Sequence, residues 1–411
     1  MKNRETSYPR AKIKILLLEG ISDAAVRQFT DAGYTEIKRV SGAMSEAELA
    51  SAIRGVHLLG IRSKTRITPA VIEKADRLLG IGCFCIGTNQ VDLETAAAAG
   101  IAVFNAPYSN TRSVAELVIG LCVMLIRRIT DKNLAAHRGV WLKQAQGSYE
   151  LRGKTLGIVG YGNIGSQVSV LAEGMGMKVA YFDVAPKLPH GNAHRTKNLR
   201  ELLQLSDIVT LHVPSDATTR NLMNERALNS MRAGSILINY SRGDVVDLSA
   251  LRRSIESGHL SGAAIDVFPV EPENNGDAFT TELQELSNVI LTPHIGGSTE
   301  EAQADIGFDV AAKLLTFLEQ GLTTGSHTVP GVSLPPQDGA HRILHIHRNI
   351  PGVLGEINSR LSDLGINILG QYLRTNEQIG YVILDVDKML SRAAVGSLKA
   401  VNGTVRARLL Y

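Results

Sequence analysis

The chain has 411 residues, too many for one ordinary domain, so two or three are expected. Its 44% hydrophobic and 20% charged residues describe a globular protein, and 43 basic against 40 acidic residues leave a formal charge of only +3, without the basic runs of a nucleic-acid binder. Three cysteines, Cys83, Cys85 and Cys122, are too few for a disulfide framework or a zinc site, so no metal is expected and a reducing cytoplasm fits. The polar start, residues 1–14, lacks the apolar core of a signal peptide, and the apolar run 117–126 is about half a membrane span, so no membrane partner is expected.

Residues 10 to about 106 alternate strand-like runs (13–18, 58–61, 79–81, 102–104) with helical patterns (23–32, 46–53, 69–75, 93–99), which predicts a small parallel α/β domain. A helix over 112–128 crosses into a second domain. There the alternation repeats, with strands near 157–159, 179–183, 208–212, 235–239, 263–267 and 288–291, enough for a full doubly wound sheet. A last helical pattern, 300–320, can return to close the first domain, which would then be discontinuous. Residues 321–340 hold Gly325, Pro330, Gly331, Pro335, Pro336 and Gly339 and read as a linker. The remaining stretch reads strand (342–347), helix (351–364), two strands (367–373, 380–385), helix (388–397) and strand (404–409). This is the ferredoxin-like βαββαβ order in a separate unit, with Pro351 suited to a first helical turn. The expected class is α/β. A Rossmann-type domain (109–295) is inserted in a discontinuous flavodoxin-like substrate domain (10–108 and 296–330), and a ferredoxin-like domain (339–411) follows.

The strongest local signal is Gly160-Tyr161-Gly162-Asn163-Ile164-Gly165, between the strand 155–159 and a helix over 166–177. A second strand, 178–183, then ends in Asp183, about 20 residues on. Gly160 allows a tight turn, Gly162 lets backbone approach a pyrophosphate, and Gly165 lets helix and strand pack closely. Helix N–H groups can hold the phosphates. Asp183 can accept both ribose hydroxyls and would repel a 2′-phosphate, which favours NAD over NADP.

Later strand ends point at the same crevice. They carry His212-Val213-Pro214, Tyr240-Ser241-Arg242, Asp266 and His294-Ile295-Gly296-Gly297, with Glu271 between prolines 269 and 272. Hydride transfer from an alcohol needs a carboxylate anchor, which Arg242 can provide bidentately. It needs a proton exchanger active near neutrality, which suits His294. It gains from a carboxylate that orients that histidine, which suits Glu271. Asp266 could bond the nicotinamide amide. Arg62-Ser63-Lys64 follow another strand end, Asn110 precedes a helix, and Lys143 lies in a polar stretch; these suit a phosphorylated substrate.

With these residues the chain, from 10 to about 320, resembles the D-isomer-specific 2-hydroxyacid dehydrogenases. The match rests on the 160–165 loop, Asp183, Ser241-Arg242-Gly243, Glu271 and His294-Ile295-Gly296-Gly297. The C-terminal unit resembles ACT regulatory domains, through His347-Arg348-Asn349-Ile350-Pro351-Gly352-Val353-Leu354 and Asn367-Ile368. The combination is similar to the branch of that family that acts on 3-phospho-D-glycerate, in the short form with one ACT domain. The resemblance implies NAD-dependent oxidation of 3-phosphoglycerate to 3-phosphohydroxypyruvate, the first step of serine synthesis. It further implies a homotetramer inhibited by L-serine at His347, Asn349 and Asn367, and a 2-oxoglutarate reductase side activity. Where the family's linker often ends in a glycine pair, this chain has Gly339-Ala340. Two other readings are a dehydrogenase for glycerate, lactate or 2-hydroxyglutarate, and a non-enzymatic NAD-sensing corepressor on the same fold. The cationic Arg62, Lys64 and Lys143 and the ACT-like tail weigh against them.

Overall fold

The computed structural model describes residues 7–272, 276–335, 339–389 and 391–411. The first six residues, Pro336 of the expected linker and residue 390 of an expected helix lie outside these. The chain forms two compact units, Met1–Ser109 with Gln303–Tyr411, and Asn110–Ala302.

The first unit holds five parallel strands, β1 (Ile15–Leu17), β2 (Ile37–Arg39), β3 (Leu58–Ile61), β4 (Gly80–Cys83) and β5 (Ala102–Asn105), in the order β2-β1-β3-β4-β5. That is the flavodoxin-like order. Every residue of β1, β3, β4 and β5 is buried, as a sheet covered on both faces demands. Strand β2 escapes the sequence pattern because an edge strand of Ile37-Lys38-Arg39 has no apolar run to betray it. Helix Glu300–Gln320 closes this layer, with Ile306, Val310, Leu314 and Phe317 sharing a core with Ile15, Leu17 and Phe104.

The second unit holds β6 (Thr155–Val159), β7 (Lys178–Phe182), β8 (His194–Arg195), β9 (Ile208–Leu211), β10 (Ile236–Asn239), β11 (Gly262–Ile265) and β12 (Val289–Leu291). They pair in the order β12-β11-β10-β9-β6-β7-β8, all parallel, with the direction of winding reversing between β6 and β9. Ligand crevices form at such reversals. The two-residue, exposed β8 is again invisible to an apolar pattern. The expected helix 112–128 is Thr111–Ile126, and a second helix, Ile129–His137, follows where Arg128 takes a left-handed φ of 52°.

The C-terminal strands β13 (His341–Arg348), β14 (Ile368–Thr375), β15 (Ile379–Val386) and β16 (Thr404–Leu410) form an antiparallel sheet ordered β14-β15-β13-β16, with helices Val353–Asp363 and Ser391–Leu398 on one face. Pro351 precedes the first of these helices, and Gly352, at φ 91°, caps it. The sheet does not stand apart from the rest of the first unit. Leu344, Ile346, Ile379, Tyr381 and Ile383 join the core that holds Phe317 and Leu314, and the Tyr381 hydroxyl donates to the Gly321 carbonyl at 2.5 Å. Arg342 and Asp385 form a buried two-point ion pair at 2.7 and 2.9 Å, and Arg342 also donates to Gln320 O at the end of helix Glu300–Gln320. Alternation within a strand cannot reveal which of its faces meets another layer.

Candidate active site

Strand β6 turns into helix Asn163–Gly174 through the glycine loop, so Asn163, Ile164 and Gly165 lie in the first helical turn. Gly160 has φ 90°, and a Cβ there would lie 2.3 Å from the His212 carbonyl oxygen. A Cβ on Gly165 would lie 2.2 Å from Gly160 O, so helix and turn touch backbone to backbone. At Gly162 nothing lies within 4 Å of a Cβ. That open space above free helix N–H groups fits a dinucleotide pyrophosphate.

Asp183 follows β7, half-buried. Its Oδ2 accepts from Tyr161 N and its Oδ1 from Ala185 N, each at 2.8 Å. The carboxylate is thereby pinned beside the glycine loop with lone pairs to spare for ribose hydroxyls. His212 follows β9 with Nε2 3.0 Å from Thr210 Oγ1. Burial drives its pKa down to about 3, so it is neutral near pH 7 and no proton donor. Val213 and Pro214 continue the same edge of the crevice.

Three further strand ends converge. After β10, Asn239 clamps the next residues: its Oδ1 accepts from Ser241 N and Oγ, and its Nδ2 donates to Arg242 O at 2.9 Å. The Arg242 guanidinium donates to Ser241 O at 2.7 Å, and its charge acts on both Glu271 and His294. After β11, Asp266 is 1% exposed. Its Oδ1 accepts from Thr292 Oγ1 at 2.5 Å and Ile295 N at 2.9 Å, and its Oδ2 from Gly296 N at 2.8 Å. Tyr240 extends the chain by donating its hydroxyl to Thr292 Oγ1 at 2.6 Å. These bonds hold His294 in a left-handed backbone (φ 53°), a conformation that a non-glycine residue keeps only when its surroundings enforce it. Asp266 is thus first a brace for the 292–296 turn. With three bonds accepted, about one lone-pair site remains for the expected nicotinamide contact.

The brace presents His294, half-exposed, to Glu271. His294 Nδ1 and Glu271 Oε2 are 2.8 Å apart, while Glu271 Oε1 accepts from Phe268 N at 3.1 Å. The hydrogen bond to Glu271 raises the His294 pKa, aided by the charges of Glu271 and Asp266 and opposed by burial and Arg242. For Glu271, burial favours the neutral acid, but the hydrogen bonds from His294 and Phe268 N–H and the nearby cations outweigh it and lower its pKa. The Nδ1 proton is fixed towards the carboxylate, so Nε2 is the atom left to exchange a proton. Gly297 lies against Asn110, since a Cβ there would meet the Asn110 amide nitrogen at 2.1 Å.

Arg62, Ser63 and Lys64 lie in the first unit, just after β3. Glu19, which the sequence reading passed over, organises them: its buried carboxylate accepts from the backbone N–H of Arg62, Lys64 and Thr65 at 3.1, 3.0 and 2.9 Å. Gln90 holds Arg62 O at 2.7 Å. Glu19 lies two residues past the end of β1, but its partners are 43 to 46 residues away in the sequence. Lys143 sits in an exposed stretch after helix Ile129–His137. In the C-terminal sheet, His347 is buried, with its Nδ1 3.3 Å from His345 Nδ1. Asn349 follows β13 and donates to Asn376 O at 2.8 Å, whereas Asn367 precedes β14 at the opposite end of the sheet. About eight residues of strand, roughly 25 Å, separate those ends, so one chain does not bring Asn367 to His347 and Asn349.

Comparisons agree with this geometry. The family model for the D-isomer specific 2-hydroxyacid dehydrogenase, NAD binding domain, matches residues 119–296, and that for an AHAS small subunit-like ACT domain matches 343–406. The chain is 51% identical over 409 residues to the D-3-phosphoglycerate dehydrogenase of Escherichia coli (strain K12), covering 99% of this chain and 100% of that protein. It is 50% identical over 407 residues to the enzyme of the same name from Haemophilus influenzae, covering 99% of each. Among solved structures, the D-lactate dehydrogenase of Aquifex aeolicus complexed with NAD and lactic acid superposes with a TM-score of 0.66 at 27% identity, over 77% of this chain and 100% of that one.

Proposed function

Because the chain belongs to the D-isomer-specific 2-hydroxyacid dehydrogenase family, in its D-3-phosphoglycerate dehydrogenase branch, we propose that it oxidises 3-phospho-D-glycerate with NAD to 3-phosphohydroxypyruvate, opening L-serine synthesis. The observation that carries the chemistry is the 2.8 Å contact between His294 and Glu271 beside Arg242. Arg242 anchors the substrate carboxylate through its planar fork. His294 Nε2 takes the hydroxyl proton, and Glu271 stabilises the imidazolium that results. Bound NAD supplies the hydride acceptor. The 160–165 loop would hold its pyrophosphate and Asp183 its adenosine ribose, and residues 212–214, 240–242, 266 and 294–297 would line the remainder. In the reverse direction the charged His294 returns the proton to the carbonyl oxygen.

Arg62, Ser63 and Lys64, with Asn110 and Lys143, are assigned to substrate binding, the cations to its phosphate. L-Serine is assigned as an inhibitor bound where two copies of the C-terminal sheet pair, which would bring Asn367 of one to His347 and Asn349 of the other. The partly exposed Leu369, Tyr372 and Leu373 on edge strand β14 suit such pairing. A homotetramer in the cytoplasm and a secondary reduction of 2-oxoglutarate complete the assignment. Among the described residues no helix is long and apolar enough to cross a membrane. The test is NADH oxidation with 3-phosphohydroxypyruvate against unphosphorylated hydroxypyruvate, each with and without L-serine. Preference for the phosphorylated substrate and inhibition by serine are expected. Equal use of both substrates would shift the assignment to another 2-hydroxyacid.

A further inference from the structure

A recess of about 460 Å³ in the first unit lies between the loop leading into β4 and the edge strand β16. Its charged lining is Arg77, Lys399, Arg406 and Arg408, with His57 and one carboxylate, Asp76. Asp76 already accepts from Gly55 N at 2.7 Å. Arg77 and Lys399 are exposed at the rim and have no ion-pair partner among the described residues. Among the described residues the two inner arginines meet no carboxylate either. Arg406 donates to the carbonyls of Leu78 and Ala99, at 2.5 and 3.3 Å. Arg408 donates to Phe317 O at 2.6 Å and lies 4.8 Å from the Phe317 ring centre. Burial lowers the Arg408 pKa to about 10, the mark of a cation short of compensation. His57 accepts at Nδ1 from Lys14 N, at 3.0 Å, so its proton sits on Nε2 as one more donor.

The contrast within the same sheet is Arg342, which has its own carboxylate in Asp385. Buried charges are normally paired or serve a ligand. Four cations facing one occupied carboxylate call for a multiply charged anion, and guanidinium forks match phosphate oxygens. The volume admits a phosphate carrying a short carbon chain. We propose that this recess binds a phosphate dianion, either inorganic phosphate or a small phosphomonoester, separately from the catalytic cluster. Such a ligand would bridge Arg77 on the β4 side to Lys399, Arg406 and Arg408 on the C-terminal side, and so stabilise the docked arrangement of the C-terminal sheet.

The test is calorimetric titration of the full-length protein with inorganic phosphate at constant ionic strength, using native protein, Arg62→Ala and Arg77→Gln/Lys399→Gln. Arg62→Ala separates this site from the assigned substrate phosphate site. Phosphate binding should persist in Arg62→Ala, but weaken about tenfold or more in the double variant, whose kcat and KM stay native. Each single rim variant should give an intermediate loss. Repeating the titration with glycerol 3-phosphate distinguishes the sources: tighter binding points to an organic phosphate, equal binding to the phosphate group alone. Phosphate binding abolished by Arg62→Ala, or unchanged in the double variant, overturns the proposal. Failure of the substrate assignment is read separately, as an unchanged KM in Arg62→Ala.

Discussion

The turn at 292–297 and the loop at 62–65 are both fixed by the same device. In each, a buried carboxylate gathers backbone N–H groups: Asp266 those of Ile295 and Gly296, Glu19 those of Arg62, Lys64 and Thr65. At the first turn the presented His294 already has a partner, Glu271. At the loop, Arg62 and Lys64 have no ion-pair partner among the described residues. The proposed function gives the two places different duties: the paired histidine is set for proton exchange, and the cations of the loop are left to meet the substrate's anion. Removing a group should therefore lower kcat at the first place and raise KM at the second.

The largest effect tests the first half of that contrast. His294→Ala removes the positioned proton exchanger, and turnover should fall by about 10²–10⁴ while NADH binding stays near native. Stopped-flow turnover beside fluorescence titration of NADH measures both. A kcat near native would remove His294 from the chemistry.

Next in size is a paired charge with no catalytic duty. Asp385→Asn leaves Arg342 buried without its carboxylate, and should cost about 3–5 kcal/mol in denaturant unfolding. Arg342→Met with Asp385→Leu should recover much of that loss, because removing both charges also removes the unpaired one. A single-variant loss under about 1 kcal/mol would show that Gln320 O and solvent suffice for Arg342.

The second half of the contrast predicts smaller effects, confined to KM. Arg62→Ala should raise KM for 3-phosphohydroxypyruvate by about 10–100-fold, but barely change it for hydroxypyruvate. Glu19→Gln, which weakens the loop's anchor and leaves both cations in place, should act in the same direction by several-fold. If it lowers kcat on both substrates instead, Glu19 supports the fold and not the loop's aim.

The two places also differ in how legible they were. Gly160, Gly162, Gly165, Asp183, Arg242, Glu271 and His294 could be read because each follows a strand whose apolar run is local. A strand end in a doubly wound sheet points at the crevice whatever the rest of the chain does. The same logic covered Arg62 and Lys64, but stopped short of Glu19, whose role depends on a loop about 45 residues away. Longer range hid more. β2 and β8 are short and polar, and pairing with a neighbour alone makes them strands. The docking of the C-terminal sheet does not show in the expected linker over 321–340, because Gly- and Pro-rich composition between units reports local stiffness only. It is silent on the Leu344, Ile346 and Tyr381 face that joins the first core. The strand expected over 404–409 likewise gives no sign that Arg406 and Arg408 face another layer, where they donate to the carbonyls of Leu78, Ala99 and Phe317.

The smallest effect is also the most diagnostic, because it moves a curve along the pH axis. The Glu271 hydrogen bond and charge raise the His294 pKa, so the imidazolium survives to higher pH than an ordinary histidine would allow. Reduction of the keto acid needs the protonated ring and must fall as pH rises through that pKa. Oxidation of the hydroxy acid needs the neutral ring and must rise there. Glu271→Gln keeps a hydrogen-bond acceptor but removes the charge, so the His294 pKa should drop. The limb of the reduction profile then moves to lower pH, and the limb of the oxidation profile moves the same way. Burial and Arg242 fix the sign, since both depress the His294 pKa and, among the charges, only Asp266 still opposes them once Glu271 is neutral. Profiles of kcat/KM in both directions measure the shift. Two limbs moving apart would mean that different groups titrate in the two directions, and an unmoved pair would mean that the 2.8 Å contact does not set the histidine's charge.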